Sequence, residues 1–311
     1  MNPPTIAAFV PSDREDARIE LADVPEPIAR EDQALVLVEA FSINRGETFL
    51  LEHPRNGWRP GQDVAGRVLE PAGDGSGPPA GTRVVGHAWD GGWAARVPIA
   101  TDALVPLPDA IPATVAATLP LAGLTAVRLL RAAGSLAGRR VLVTGASGGV
   151  GHFLVELAAA QGARITSVTR TAERGQRLRA LGAEHVVARV EDAAAPFDAV
   201  FESVGGASLS AAMERLAPRG TVWWFGQASR EPAVLDFFAL PDRAMVRRFT
   251  YWPHEEPDHV DLQVLVDLVA AGRLHPEVGL LADWQETPAA LVDLHERRIR
   301  GHAVLTIPVA R

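Results

Sequence analysis

A glycine-rich stretch in the middle of the sequence has residue types and spacing that fit two different chemistries. It runs VLVTGASGGVGHFLVELAAAQG from Val141 to Gly162. The segment from Gly145 to Gly149 fits the G-x-S-x-G pattern of a hydrolase, in which Ser147 would be a nucleophile on a sharp turn. The overlapping segment from Ala146 to Gly151 fits a turn that holds phosphate on backbone N–H groups, with alanine in the first glycine position.

The surroundings of this turn favour phosphate binding. An apolar strand leads into it, and apolar residues recur afterwards at Val150, Leu154 and Leu157, so a helix begins at the turn. The N-terminus of that helix would offer free N–H groups and the positive end of its dipole to a diphosphate. We therefore assign cofactor contacts to the turn residues Ala146, Ser147, Gly148, Gly149, Val150 and Gly151.

A serine hydrolase that uses Ser147 stays as the alternative. It would need several strand-helix units before the turn, whereas the first 110 residues are short β-like runs divided by turns. It would also need an acid and a histidine later in the chain. Matches to these roles arise by chance among 38 acidic residues and 9 histidines, and the candidates are Asp198, Asp242, His254, His275 and His302.

The segment after the second predicted strand of this region indicates which dinucleotide would bind. An enzyme that uses NAD places an acidic residue there, on the ribose 2′-hydroxyl. The segment SVTRTAERGQR has no acid from Val168 to Thr171, while Arg170 and Arg174 could hold a 2′-phosphate. The pattern favours NADPH, with Thr169 beside it. Arg174 could equally lie on a solvated helix face, and that interpretation stays open for both arginines.

The rest of the chain divides into two kinds of pattern. Residues before about Pro108 form short β-like runs, which predict an antiparallel, barrel-like region. After Ile111, apolar strands alternate with helical segments, which predicts a parallel sheet. The expected strands are Arg140–Thr144, Arg164–Thr169, His185–Ala188, Phe197–Phe201, Thr221–Phe225 and Arg248–Trp252. Two helical runs follow, and a final strand, HAVLTIPV, should pair with the N-terminal region.

Composition excludes several classes of partner and site. The chain has 311 residues and a formal net charge of −8, which gives no basic surface for nucleic acid or an anionic membrane. It has 0 Cys, so disulfides and cysteine zinc sites are excluded. Proline and glycine interrupt the longest uncharged stretch, and the N-terminus lacks a basic leader, so we expect no membrane span and a cytoplasmic location.

Eight segments, in order, resemble the medium-chain dehydrogenase/reductase superfamily and its zinc-independent quinone oxidoreductase branch. They cover nearly the whole chain and read SINRGE, PGQDVAGRV, GTRVVG, GGWAARV, TLPLAGLTAVRLL, VTGASGGVG, LGAEHVV and FESVGG. The resemblance implies an α/β protein with a GroES-like β-barrel catalytic domain, residues 1–112 with 254–311. It also implies a Rossmann doubly wound parallel sheet that binds NADPH, residues 113–253, with the cofactor in the cleft between the two domains.

The resemblance further implies an enzyme that transfers hydride from NADPH to a quinone or an α,β-unsaturated carbonyl compound. Thr125 resembles the threonine beside the nicotinamide, and Ser203 and Val204 resemble a loop near the ribose and nicotinamide. Phe225 and Gly226 resemble the turn that closes over the ring. A non-catalytic NADPH-binding protein would have the same binding residues and stays a second alternative.

Two departures from the superfamily pattern bear on the chemistry. Zinc-dependent members have Cys at Asn44 and Gly-His-Glu at Gly61 to Asp63, so we expect no metal site. Some quinone reductases have Tyr where this chain has Phe49. Asn44 could then donate to the substrate oxygen, or it could cap a turn.

Aromatic residues are the candidates for the substrate pocket and for a subunit interface. Phe49, Trp58 and Trp252 could form the pocket for a flat small-molecule substrate, as could Trp89 and Trp93, and each could instead be core. Tyr251 is expected on the last strand of the parallel sheet, in packing or at an interface rather than in chemistry. That strand has an open edge, which predicts a homodimer.

Overall fold

The structure is a computed structural model that describes residues 4–13, 18–194, 196–251 and 256–308. The chain divides into two compact units. Unit 1 comprises Met1–Leu124 with Glu255–Arg311, and unit 2 comprises Thr125–His254. The division falls after Leu124, within a helix, and thus further along the chain than the boundary that the sequence predicts after residue 112.

The elements are numbered in chain order. The strands are β1 Thr5–Pro11, β2 Ile19–Pro25, β3 Gln33–Ile43, β4 Asp63–Glu70, β5 Arg83–His87, β6 Arg96–Ala100, β7 Leu104–Pro106, β8 Arg140–Val143, β9 Arg164–Val168, β10 Ala183–Val187, β11 Phe197–Glu202, β12 Leu216–Trp224, β13 Met245–Arg248, β14 Val278–Asp283 and β15 His302–Thr306. The helices are α1 Arg45–Leu50, α2 Ala113–Ala116, α3 Pro120–Ala133, α4 Gly149–Ala160, α5 Ala172–Ala180, α6 Gly206–Glu214, α7 Asp258–Ala270 and α8 Thr287–His295.

Unit 1 is built on a seven-stranded sheet with the order β14-β15-β3-β4-β5-β7, in which β6 also pairs with β3. Its strands are antiparallel except for the parallel pair β14 and β15. Strands β1 and β2 form a separate hairpin. The final strand β15 pairs with β3, Ala303 opposite Ile43, which confirms the expected pairing with the N-terminal region.

The core of unit 1 contains a few aromatic residues among many aliphatic ones. Phe41 and Trp93 stack with ring centroids 5.8 Å apart, and the Trp93 indole N–H donates to the carbonyl of Ser42 at 3.2 Å. Trp93 is fully buried, so it belongs to the core and not to an accessible pocket. Trp58 is half-buried and packs against the same core.

Unit 2 contains a six-stranded parallel sheet with the order β10-β9-β8-β11-β12-β13. Numbered from the first strand of the sheet, this is the 3-2-1-4-5-6 order of a doubly wound dinucleotide-binding fold. Helix α4 connects β8 to β9, α5 connects β9 to β10, and α6 connects β11 to β12. Five of the six predicted strands are therefore present in the predicted kind of sheet, and the sixth is displaced along the chain.

The last strand of this sheet lies earlier in the chain than expected. The sequence predicts a strand over Arg248–Trp252, whereas β13 ends at Arg248 and pairs Met245 with Thr221 of β12. All four β13 residues are exposed, so the strand has no buried apolar run that would reveal it. Tyr251 follows the strand, which corrects its predicted place on the strand. Trp252 and His254 lie outside the described residues.

Within the part of the chain that the structure describes, none of the helices is long and apolar enough to cross a bilayer.

Candidate functional site

The glycine turn follows β8 and leads into α4 in unit 2. Gly145 has φ +57°, and a side chain on it would place Cβ 2.5 Å from the Ser203 Oγ, so only glycine fits there. A Cβ on Gly151 would lie 2.6 Å from the Cα of Ala146, which makes the second glycine equally restricted. The first turn of α4 therefore packs directly against the backbone of the loop.

The N-terminus of α4 has the features of an anion site. Gly148 caps the helix with extended backbone and Gly149 begins it, so the first N–H groups of the helix have no acceptor one turn earlier. Gly148, Gly149 and Val150 are partly exposed, whereas Ala146, Ser147 and Gly151 are buried. All six predicted turn residues lie in this loop and first helical turn, where N–H groups and the helix dipole favour phosphate.

The backbone of this turn differs from that of a nucleophile elbow. A hydrolase serine sits at the strained point of its turn. Here the positive φ belongs to Gly145, and Ser147 is not among the described non-glycine residues with positive φ. Asp198, a candidate acid, accepts a hydrogen bond from the N–H of Arg140 at 2.9 Å. That contact is at the start of β8, the opposite end of the strand from Ser147.

The predicted ribose-phosphate residues follow β9. Thr169 is buried, its N–H donates to the carbonyl of Val187 at 3.0 Å, and its hydroxyl has no hydrogen-bond partner in the structure. Arg170 is exposed and Arg174 is half-buried in the first turn of α5, where Thr171 accepts from the N–H of Arg174 at 3.4 Å. The structure therefore places two guanidinium groups and an unsatisfied hydroxyl just after this strand.

Glu202, at the end of β11, organises the loop that follows the strand. Its buried carboxylate accepts four hydrogen bonds of 2.9 to 3.0 Å, from the N–H groups of Val204 and Gly205 and the hydroxyls of Ser208 and Thr144. Burial raises the pKa of Glu202 above its ordinary value, and the four donors oppose part of that shift. The sequence analysis missed Glu202, although an acid at a strand end before Gly-Gly was a usable signal.

The predicted loops at Ser203–Val204 and at Phe225–Gly226 lie against each other. The N–H of Ala228 donates to the Ser203 carbonyl at 3.1 Å, and the N–H of Ser229 donates to the Val204 carbonyl at 2.7 Å. A Cβ on Gly226 would lie 2.7 Å from the Ser203 oxygen, so the approach requires glycine. The structure brings these four predicted residues together after β11 and β12.

Unit 1 has its own buried polar cluster around Asn44. The Asn44 amide donates to the Asp63 carboxylate at 2.7 Å, and Ser42 donates to the same oxygen at 2.6 Å. The other Asp63 oxygen accepts from the N–H of Leu121 at 2.8 Å. Asn44 is also the N-cap residue of α1, and its own N–H donates to Glu47 at 2.8 Å. The structure thus shows the capping role, and one N–H of the amide is used by Asp63.

Both acids in this cluster have raised pKa values. Burial raises the pKa of Glu47 from 4.5 to about 8, with a contribution from the negative charge of Asp63. Burial also raises the pKa of Asp63, against the hydrogen bonds from Ser42, Leu121 and Asn44. Sequence reasoning missed Glu47 as a buried residue, although Asn44 followed three residues later by Glu47 is a capping-box signal.

The remaining predicted residues differ in burial and in the residues that they contact. Thr125 is buried in α3, and Phe49 is half-buried in α1. Trp89 is 44% exposed and lies edge-on to His87 at 4.9 Å. The ring of Tyr251 lies 5.0 Å from the guanidinium of Arg128, which fits a packing role.

Comparisons with known proteins agree with this geometry. A family model described as a zinc-binding dehydrogenase matches residues 149–263. A chloroplast envelope quinone oxidoreductase homolog of Arabidopsis thaliana is 29% identical over 311 residues, 92% of this chain and 92% of the relative. A quinone oxidoreductase of Mus musculus is 35% identical over 165 residues, 50% of this chain and 49% of the relative. A mycobacterial protein solved with NADPH matches with a TM-score of 0.87 and 26% identity, over 97% of this chain and 100% of that one.

These similarities support a medium-chain dehydrogenase/reductase of the quinone oxidoreductase type. The predicted fold class, a GroES-like domain plus a Rossmann sheet, is confirmed by the structural match.

Zinc, which the name of the family model implies, does not fit the residues of this chain. Asn44 stands at one ligand position and donates an N–H to Asp63, whose two oxygens both accept hydrogen bonds. Structural and catalytic zinc sites use thiolate, imidazole and carboxylate ligands in groups of three or four. In the described part of the chain, no group of three His, Cys, Asp or Glu side chains could hold a metal ion.

Proposed function

We propose that this chain is an NADPH-dependent oxidoreductase that transfers hydride to a quinone or an α,β-unsaturated carbonyl compound without zinc. The observation that carries the proposal is the glycine turn at the N-terminus of α4, followed after β9 by Arg170 and Arg174, with no acid from Val168 to Thr171. The names of the relatives, quinone oxidoreductases among them, and a similar structure solved with NADPH support it.

Unit 2 would hold each part of the cofactor through a different set of residues. The first N–H groups of α4 would bind the diphosphate, with the backbone of Ser147 among them. Arg170 and Arg174 would bind the 2′-phosphate through charge-assisted hydrogen bonds, and the buried Thr169 hydroxyl would donate to the same ribose. The joined loops at Ser203–Val204 and Phe225–Gly226, together with Thr125, would orient the nicotinamide end. Bound NADPH supplies the hydride for the reaction.

Asn44 would stabilise the oxygen of the acceptor. Its amide has two N–H groups, and Asp63 takes one of them and fixes the plane of the amide. The second N–H would donate to the oxygen on which negative charge develops as the hydride adds to carbon. A proton from solvent then completes the reduced product, so the chain needs no dedicated acid. The half-buried Phe49 and Trp58 would contact a flat acceptor, as would Trp252, which lies outside the described residues.

Cofactor binding and turnover test the proposal directly. We expect a larger rise in melting temperature with NADPH than with NADH, because a ligand that binds only the folded state stabilises it in proportion to its affinity. We also expect NADPH oxidation with a panel of benzoquinones, ortho-quinones and cyclic enones, measured by the loss of NADPH absorbance.

A variant of the turn serine separates this proposal from hydrolysis. Ser147→Ala keeps the backbone N–H and should retain NADPH oxidation within about tenfold of the unchanged chain, since only a hydroxyl contact is lost. Ester hydrolysis that disappears in Ser147→Ala while NADPH leaves the melting temperature unchanged would contradict the proposal. Tight NADPH binding with no turnover on any acceptor of the panel would instead favour a non-catalytic binding protein.

We also propose that the protein forms a homodimer through β13. This strand pairs with β12 on one side, and its residues are exposed. The segment before it has large apolar side chains in solvent, with Phe237 80% and Phe238 91% exposed. An open strand edge beside exposed aromatic residues is a typical site for pairing with a second copy. The cytoplasmic location stays a prediction of the sequence.

A further inference from the structure

Thr144 and Glu202 lie at the point where the strand order of unit 2 reverses. Thr144 follows β8 and Glu202 ends β11, and these two strands are neighbours although two strands and two helices separate them in the chain. In open parallel sheets a ligand binds outside the carboxyl ends of the strands at this reversal. The two side chains therefore lie at the base of the expected cofactor crevice.

Their hydrogen bonds link the two sides of that crevice. The Thr144 hydroxyl donates to Glu202 at 3.0 Å and accepts from the N–H of Ser203 at 3.0 Å. The Ser203 hydroxyl donates back to the Thr144 carbonyl at 3.2 Å, next to Gly145. The diphosphate turn and the loop after β11 are thus joined by one hydroxyl and one carboxylate.

The four hydrogen bonds that the Glu202 carboxylate accepts all come from uncharged donors. All four donors to Glu202 are backbone N–H or hydroxyl groups, and two of the four, the N–H groups of Val204 and Gly205, belong to the loop backbone. One carboxylate oxygen accepts three of these bonds, and the other accepts the fourth, from the N–H of Gly205. A glutamine of the same size would place its NH₂ group against the Gly205 N–H or against the other three donors, so it cannot reproduce the arrangement.

The effect of Glu202 continues into the second loop. Because Ser203 and Val204 accept from Ala228 and Ser229, fixing the first loop also fixes the second. None of these contacts involves Thr169, Arg170 or Arg174, which follow a different strand. Loss of the carboxylate should disturb one end of the crevice and leave the other intact.

We propose that Glu202 is a positioning residue which, with Thr144, sets the conformation of both nicotinamide-side loops relative to the diphosphate turn. The proposal deepens the proposed function and rests on it. It assigns the geometry of the nicotinamide end of the site to a buried carboxylate that accepts hydrogen bonds from Thr144, which follows β8, and from groups that follow β11.

This role is tested by comparing the binding of the whole cofactor with the binding of its adenosine end alone. The dissociation constants of NADPH and of adenosine bisphosphate with the 2′-phosphate, which represents only the adenosine end, are measured by calorimetry. In Glu202→Gln we expect NADPH to bind about tenfold or more weakly while the adenosine fragment changes by less than about twofold. Glu184→Gln, an exposed acid on β10, is the matched control and should change neither value.

A second pair of variants covers the case in which Glu202→Gln folds poorly. Thr144→Val removes the bridging hydroxyl at nearly constant volume, whereas Thr144→Ser retains it. Thr144→Val should show the same selective loss for NADPH, and Thr144→Ser should restore affinity to within about threefold of the unchanged chain. Thermal melts of all variants report whether the fold is retained.

Each outcome bears on a different statement. Equal losses for both ligands in Glu202→Gln and Thr144→Val, or no loss in either, would overturn the positioning role. Failure of the unchanged chain to bind NADPH and the adenosine fragment would overturn the proposed function and the positioning role with it.

Discussion

Glu47 is a carboxyl group without solvent contact that accepts hydrogen bonds from the N–H groups of Asn44 and Gly61, both at 2.8 Å. Its pKa is raised to about 8 by burial, above the ordinary value of 4.5. The folded chain therefore holds this proton to higher pH than the unfolded chain does. The contribution of Glu47 to stability is complete below pH 4.5 and is lost as pH rises towards 8.

We predict that Glu47→Gln weakens this dependence on pH. Glutamine is neutral at every pH, so the variant does not have to ionise a buried group as the pH rises. The free energy of unfolding of the variant, relative to that of the unchanged chain, should therefore increase between about pH 5 and about pH 9, by on the order of 3–5 kcal/mol at most. Urea unfolding at the two pH values measures the difference. Glu70→Gln, an exposed acid in unit 1, is the control, and an unchanged pH dependence in Glu47→Gln would show that Glu47 titrates normally.

Arg170 and Arg174, which follow β9, would select NADPH over NADH under the proposed function. We predict that Arg170→Ala and Arg174→Ala each weaken NADPH binding by about tenfold, since each removes a charge-assisted bond to the 2′-phosphate. NADH lacks that phosphate, so its affinity should stay within about twofold. Arg179→Ala, exposed on the same α5 helix, serves as control. Equal loss for NADPH and NADH would place the arginines elsewhere on the cofactor or in folding.

The β8–α4 turn depends on glycine at two places. We predict that Gly151→Ala reduces NADPH affinity by about tenfold or more, because the new Cβ would meet the loop backbone at 2.6 Å and displace the N–H groups of the turn. Gly46→Ala on α1, where a Cβ meets nothing within 4 Å, should leave affinity unchanged. Retained affinity in Gly151→Ala would show that the loop tolerates the displacement.

The parallel strands could be predicted because each carries a short apolar run that ends at a turn signal. β8 and β9 were placed within one residue at each end, since Val141 to Val143 and Ile165 to Ser167 are buried. β13 was misplaced because an exposed edge strand has no such run. β14 was missed because Val278–Asp283 alternates half-buried and exposed residues in a short segment.

The sequence predicts the candidate site only at positions where the backbone geometry requires one particular residue type. Gly145 and Gly151 are visible in the sequence because no other residue fits their space. The roles of Glu202 and Asp63 could not be predicted, because the residue type does not distinguish a buried carboxylate that accepts hydrogen bonds from backbone N–H groups from a solvated one. Their role depends on donors such as Leu121 and Ser208, which come close only after folding.

The exposed segment before β13, which contains Phe237 and Phe238, bears on the assembly of subunits. We predict a mass of about two chains in light scattering at micromolar concentration, because an open edge and exposed aromatic residues favour pairing with a second copy. Phe238→Asp should give a single-chain mass with an unchanged melting curve of the protomer, since the side chain is 91% exposed. Ile28→Asp, 92% exposed in unit 1, is the control. A single-chain mass for the unchanged protein would contradict the dimer.

The pairing of β15 with β3 determines the order in which the chain can fold during synthesis. β3 lies between β15 and β4 in the sheet, and β15 is made only after the whole of Thr125–His254 has left the ribosome. On the edge of β3 that faces β15, β6 can already pair with residues 33–37, but residues 40–43, which include the core residue Phe41, stay unpaired during that interval and are open to non-native pairing. The continuous segment of unit 2 can fold first, so expression at high rates should burden chaperones mainly through the discontinuous unit.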